Sequence, residues 1–474
     1  MPFDDYESYD AVALAARVSD GDVKPRELIE AAIARAERRN PAINAIVIPM
    51  YDEGRRVAEA PPDGPFRGVP FLLKDLYAMY PGFRTTHGSR LFADHVPDHE
   101  NELAARYRRA GLVTFGKSAS PEFGITTSTE SALFGKTRNP WNLEFMAGGS
   151  SGGASAAVAA GILPAAHASD GGGSIRVPAS CCGLFGLKPT RGRIPFGPDA
   201  GEGWSGMSTA NVVSRSVRDS AALLDVVQGD DLGAPYASPP RVRPFLDEVG
   251  ASPGRLRIAL QTESFNGSPT HADCVAAAQD AAKLCRELGH TVVEARLTID
   301  GPAFGRASQV IIAANLRATV LERLKVLGRD LRDDDIEPTT RMMFEGAKQA
   351  DAAEYASALR VIHALGRQVA RFLTGYDLLL SPTMATPPLP IGRLALDNPD
   401  VGALLGALQQ TIGYTQLFNA SGHPAMSVPL WWNAQGLPIG VQFAGRFGDE
   451  ATLFRLAAQL EQARPWFDRR PPLD

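Results

Sequence analysis

Cysteine is scarce in this chain: Cys181, Cys182, Cys274 and Cys285 are the four in 474 residues, and no pair has CxxC spacing. That pattern argues against a disulfide framework and a zinc site, and makes a reducing cytoplasm the expected setting. The eight histidines form no HExxH pair and the carboxylates fall in no ligand pattern, so no metal or other cofactor is expected. Excess charge of one sign is also missing. The net charge is -5 and no long basic run occurs, which leaves nucleic-acid and acidic-membrane binding without support. No run of about 18 apolar residues is present to span a bilayer. The acidic stretch from Met1 to Asp10 has no apolar segment and is not expected to be a secretory signal. What remains is an ordinary globular composition, 44% hydrophobic and 21% charged. Its length alone suggests about two or three domains.

Glycine, by contrast, is concentrated where chemistry could use it. Gly148-Gly-Ser-Ser-Gly-Gly153 is followed by a small-residue segment and then by Ser169-Asp-Gly-Gly-Gly-Ser-Ile-Arg176. Such density opens backbone dihedrals closed to other residues and bares N–H groups that can face an anion. Ser174, directly after three glycines, has the setting of a nucleophile inside its own oxyanion hole. Around these blocks the pattern alternates helix and strand, which points to an α/β layer architecture. Two helices are expected in 8–40, the second starting at Pro25 and stopping before Asn40-Pro41. Strands are expected at 43–48, 69–73, 112–116, 256–260, 291–295, 377–380, 426–430 and 439–443. Helices are expected at about 100–110, 154–160, 272–288 and 449–463, and through most of 303–375. The tract 230–254 reads as a surface connection, and the charged cluster 329–335 as a solvated face.

Three readings of the glycine blocks compete. A phosphate loop needs a lysine where Ala154 stands, so a nucleotide site is not expected. A nucleophile elbow fits Gly149 to Gly153 and would make Ser151 the nucleophile. It wants a strong strand before it, which 141–147 is not, and Asp377 and His423 would have to complete it. The third reading pairs Ser174 with a base elsewhere. His167, inside the apolar run 165–168, reads as a core histidine. Lys74 ends the apolar strand Phe71-Leu-Leu-Lys74, where a lysine can be desolvated and lose its proton. Its bland reading is an ion pair with Asp75.

The blocks Gly68 to Asp75, Gly148 to Gly153 and Asp170 to Arg176, in this order and spacing, resemble the amidase signature family. Pro178 to Thr190, Gly422 to Pro429 and Gly436 to Gln442 extend the resemblance over essentially the whole chain. It implies an α/β fold, with one large mixed β-sheet core covered on both faces by helices. The implied organisation is a single domain over 1–474, with a catalytic core at about 65–220 and a helical, substrate-variable region at about 300–375. It further implies amide hydrolysis through a Ser–Ser–Lys triad and an acyl-enzyme. Ser174 would be the nucleophile, Ser150 the bridging serine after a cis peptide at Gly149, and Lys74 the base. N–H groups of Gly171, Gly172, Gly173 and Ser174 would form the oxyanion hole, with Ser151, Asp170 and Arg176 in support. Gly171 departs from the pattern, since many relatives carry a bulkier residue there.

The resemblance also bears on the substrate. The glutaminase branch, a subunit of an amidotransferase complex, carries an aspartate seven residues before the position of Asn419; this chain has Ile412 there. A free-standing hydrolase is therefore preferred, its partner a small-molecule amide, with a homodimer left open. Phe123, Phe145, Met146 and Trp204 are the expected apolar lining. Arg138-Asn-Pro-Trp-Asn142 and the segment Arg464 to Pro471 look most like hydrolases of cyclic amides of the 6-aminohexanoate dimer type. Aryl and aliphatic amides, and esters, stay open.

Overall fold

The computed structural model describes residues 4–473. Eight strands form the main sheet in the order Thr291–Glu294, Arg257–Leu260, Leu378–Pro382, Pro438–Gly445, Ala425–Trp432, Phe185–Lys188, Thr209–Ser214 and Ala165–Asp170. The first three pair in parallel and the rest antiparallel, so the sheet is mixed.

Alternation along the strands distributes side chains to two apolar layers. Ile258, Leu260, Leu378, Leu380, Met426, Val441 and Phe443 join one core, which includes the inner faces of helices Ala272–Glu287 and Glu450–Ala463. Their neighbours Ala259, Leu379, Ala425 and Ala444 join the other, beneath helices Gly301–Leu327, Ala352–Phe372 and Gln416–Ser421. Helices therefore cover both faces, as expected. The small residues on the second face let helices approach closely. No helix among the described residues is long and apolar enough to cross a membrane.

A second, three-stranded sheet holds Ile46–Pro49, Val113–Ser118 and Pro70–Lys74 in that order. All five positions of Pro70–Lys74 are buried. One edge runs parallel to Val113–Ser118, and the other lies against Ala165–Asp170, the last strand of the main sheet. Lysine thus reaches the end of a strand that has no water on either side.

Several expectations need correction. The helix from Pro25 runs through Asn40-Pro41 to Ile43. Proline in a last turn forfeits a single intrahelical bond, and the Asn40 side chain ties the exit down by accepting from the N–H groups of Ala45 and Ile46, both at 2.8 Å. The cluster 329–335 is not simply solvated. Asp335 is buried, pairs with Arg329 at 2.6 Å, and its carbonyl accepts the Leu91 N–H at 2.9 Å. Asn142–Met146 is a strand after all, but in a two-stranded ribbon with Arg138–Asn139, outside the main sheet.

Candidate active site

Burial at the end of Pro70–Lys74 dictates the state of Lys74. Its backbone N–H donates to His167 Nδ1 at 3.1 Å, which makes His167 the structural core histidine its apolar run suggests. Its ammonium reaches across to Ser150 Oγ at 2.7 Å and Ser169 Oγ at 3.0 Å. Asp75, the bland partner, turns away to accept from the N–H and hydroxyl of Thr86. Removal from water pushes the Lys74 pKa down from 10.5 to about 7, against an opposing pull from the Asp170 charge.

Ser150 follows a cis peptide bond at Gly149 and precedes helix Gly152–Ala159, every residue of which is buried. The neighbouring Ser151 is committed to the backbone: its hydroxyl donates to Ser169 O and accepts the Ser169 N–H, both at 3.2 Å. The elbow partners are not assembled around it. Asp377 accepts the Arg257 N–H at 2.8 Å and pairs with Arg446 at 3.0 Å, while His423 is buried against the Phe447 ring.

The loop after Ala165–Asp170 is organised by its first residue. The Asp170 carboxylate accepts the N–H groups of Gly173 at 2.7 Å and Ile175 at 3.1 Å, the Arg176 guanidinium at 2.9 Å and Asn419 Nδ2 at 2.8 Å. Arg176, wholly buried, also donates to Thr415 O, Gln442 Oε1 and Asn419 Oδ1. Burial alone would raise the Asp170 pKa; the Arg176 charge, with hydrogen bonds from Arg176 and Asn419, outweighs it and holds the group well below the usual carboxylate range. Gly173 has φ +135°, and a Cβ there would sit 2.4 Å from Thr415 Oγ1, so no other residue fits.

The Asp170 carboxylate takes one donor away from the expected oxyanion hole. The Gly173 N–H is spent on Asp170, because the carboxylate that tightens the loop must take its donors from within it. Among the described residues, the N–H groups of Gly171, Gly172 and Ser174 carry no hydrogen bond, and neither does the Ser174 hydroxyl, at 6% exposure.

The four expected lining residues separate. Trp204 lies over Gly171, its ring carbon 2.6 Å from where a Cβ would be. Phe123 is buried against the rings of His87 and Phe92, and its neighbour Gly124 backs onto Ser150 Oγ, 3.1 Å from a would-be Cβ. Met146 instead packs into the main core, and half-buried Phe145 bridges to Pro390. Ser169 and Gln442 carry no signal as single residues. Only the position of Ser169, on the strand that delivers Asp170, could have suggested that it meets Lys74.

A family model described as Amidase matches residues 27–454. The 6-aminohexanoate-cyclic-dimer hydrolase of Paenarthrobacter ureafaciens is 39% identical over 476 residues, covering 98% of this chain and 96% of that protein. A solved structure of 6-aminohexanoate cyclic dimer hydrolase superposes with a TM-score of 0.94 at 38% identity, covering 98% of this chain and 99% of that one. A bacterial aryl acylamidase of the amidase signature enzymes follows at a TM-score of 0.89 and 30% identity, covering 97% and 96%. With the match running through both sheets and the serine loops, the chain belongs to the amidase signature family and is an amidase, a hydrolase of carbon–nitrogen bonds.

Proposed function

We propose that Ser174 is the nucleophile, Ser150 the proton relay and Lys74 the base of this amidase, acting on an apolar, aryl or cyclic amide. The carrying observation is a fully buried lysine, close to half-neutral at pH 7, with its amine 2.7 Å from Ser150 Oγ. Neutral Lys74 takes the Ser150 proton as Ser150 takes that of Ser174, whose oxygen attacks the carbonyl carbon. The negative charge that moves onto the carbonyl oxygen is received by the N–H groups of Gly171, Gly172 and Ser174, each such donor worth about 3–4 kcal/mol. On collapse the C–N bond breaks, and Ser150, resupplied by Lys74, protonates the departing nitrogen. Water then attacks the acyl-enzyme along the same relay and releases the carboxylate. Asp170 and Arg176 hold the loop that presents these donors, and Ser151 holds Ser169 against the lysine.

Of the relatives described above, one is named for hydrolysis of a cyclic dimer and another as an aryl acylamidase. Trp204 over Gly171 suits that substrate class. Glutamine suits it poorly, since Ile412 is buried and offers no charge to an amino group. An elbow esterase is disfavoured by the Ser151 hydroxyl being tied to Ser169. Four free, buried cysteines accord with a reducing compartment.

The test is a panel of 6-aminohexanoate cyclic dimer, anilides and glutamine, scored by amine or ammonia release. Cleavage of the dimer or the anilides, lost in Lys74→Ala and Ser174→Ala, is the expected result. Glutamine as the sole substrate would overturn the substrate class, and full activity in Ser174→Ala would sink the nucleophile.

A further inference from the structure

Trp204 and Ser205 are consecutive non-glycine residues in the left-handed region, at φ 49° and 55°, between Gly203 and Gly206. Bulky residues rarely adopt this backbone, and it persists where surroundings over-determine it, most often at functional sites. Here the surroundings are specific. Met207 N–H closes onto Trp204 O at 3.2 Å and Ser208 N–H onto Gly203 O at 3.0 Å, forming a tight strap. The strap runs directly into Thr209–Ser214, whose first residue pairs with Asp170, the residue that organises the Ser174 loop.

From the other side the strap is gripped by the helical region. The Ser205 hydroxyl is hydrogen-bonded to the Tyr355 hydroxyl of helix Ala352–Phe372. Asn315 Nδ2, on helix Gly301–Leu327, lies 3.5 Å from the same oxygen. The two ends of the strap therefore tie a distant helix pair to the nucleophile loop. The indole occupies the space that a side chain on residue 171 would fill, with ring carbons 2.6 and 2.7 Å from a Cβ built there. Gly171 carries no positive φ, so what this glycine supplies is room for the ring rather than a special backbone.

We infer that Trp204 is a specificity-determining wall beside Ser174, that Gly171 is its matched floor, and that Tyr355 positions it through Ser205. This rests on the reading of Ser174 as nucleophile. The indole lies beside the segment that holds the carbonyl oxygen, so it limits the bulk of the group attached next to the scissile carbonyl and favours flat or extended apolar groups there. Ring and side chain compete for one volume, so Trp204 in this position requires glycine at 171.

The experiment compares covalent labelling rates with two fluorophosphonates, one carrying a small alkyl group and one a cyclohexyl group, with the labelled serine mapped by mass spectrometry. The ratio of bulky to small rates cancels any loss of folded protein. In Trp204→Ala the ratio is expected to rise about tenfold, the scale set by a few apolar carbons in a pocket. In Tyr355→Phe, which keeps the ring and deletes one hydrogen bond, it is expected to rise about fivefold, with the pH dependence of labelling unmoved because Lys74 is untouched. An unchanged ratio in both variants overturns the wall. A change in Trp204→Ala alone overturns the Tyr355 clamp. Wild-type label that maps elsewhere than Ser174 overturns the nucleophile itself, a distinct failure that the mapping identifies.

Discussion

The pH dependence of turnover should be set by one amine. Lysine titrates at 10.5 in water, and burial brings Lys74 to about 7. A shift of that size is worth about 5 kcal/mol. Unshifted, the side chain would be neutral in roughly one molecule in 3,000 at pH 7; as buried here it is neutral in about half, and in roughly one in a hundred at pH 5. The expected profile of kcat/KM on a non-titrating anilide therefore falls about tenfold per pH unit below 7 and is level above it. It is measured from pH 5 to 10 at constant ionic strength, with a solvent isotope effect to establish that proton transfer limits the rate. A flat profile from pH 5 to 9, or a midpoint near 10, would refute the argument from burial. The same shift must appear in stability. A lysine whose folded pKa lies below its unfolded value costs stability in full below about pH 7, and the cost fades as pH rises towards 10.5. Lys74→Met, expected to be inactive, is also expected to be more stable than wild type at pH 6 by up to about 5 kcal/mol, less what the lost serine contacts contribute, with the gain gone near pH 10.5. Parallel unfolding curves at both pH values would remove the basis for a neutral lysine.

Ser151→Ala removes one donor and one acceptor from the Ser169 backbone, and is expected to lower kcat about tenfold without abolishing it; complete loss would move the case back to the elbow. Asp170→Asn leaves the Arg176 guanidinium buried without its counter-charge, and urea unfolding should show a loss of about 3–5 kcal/mol. Glu337 is raised from 4.5 to about 7, first by burial and then by the neighbouring Glu122. Because its folded pKa is the higher, wild type loses stability as pH climbs from 4.5 through 7. Glu337→Gln, measured by thermal denaturation at pH 5 and pH 8, is expected to gain up to about 3 kcal/mol on wild type over that interval, and an equal response of both proteins would contradict it.

How much of this was legible in the sequence depended on which physics wrote each segment. Strands such as Pro70–Lys74 and Leu378–Pro382 are built of large apolar residues, and their burial is visible in composition alone. Ala165–Asp170 is not. Its residues are alanine, histidine, serine and aspartate, without a β-branched side chain, and it becomes a strand because Thr209–Ser214 pairs along its full length while Pro70–Lys74 lies at its other edge. Tertiary context overrode propensity at the very strand that carries Ser169 and Asp170 to the site. Strand Thr209–Ser214 and helices Val217–Val227 and Val401–Ile412 escaped a sequence reading as well. The glycine blocks announced a backbone donor loop, but not that Asp170 withdraws Gly173 from it, since that depends on where a carboxylate points. Least legible is the grip of Tyr355 on Ser205: two ordinary residues, far apart in sequence, that meet only because a helix pair folds back over a strap. The chemistry proposed for this amidase is thus written locally in glycine, serine and lysine. Its selectivity is written in contacts between segments that carry no motif, which is why substitutions at Trp204 and Tyr355 should alter what is cleaved while those at Lys74 and Ser174 alter whether anything is.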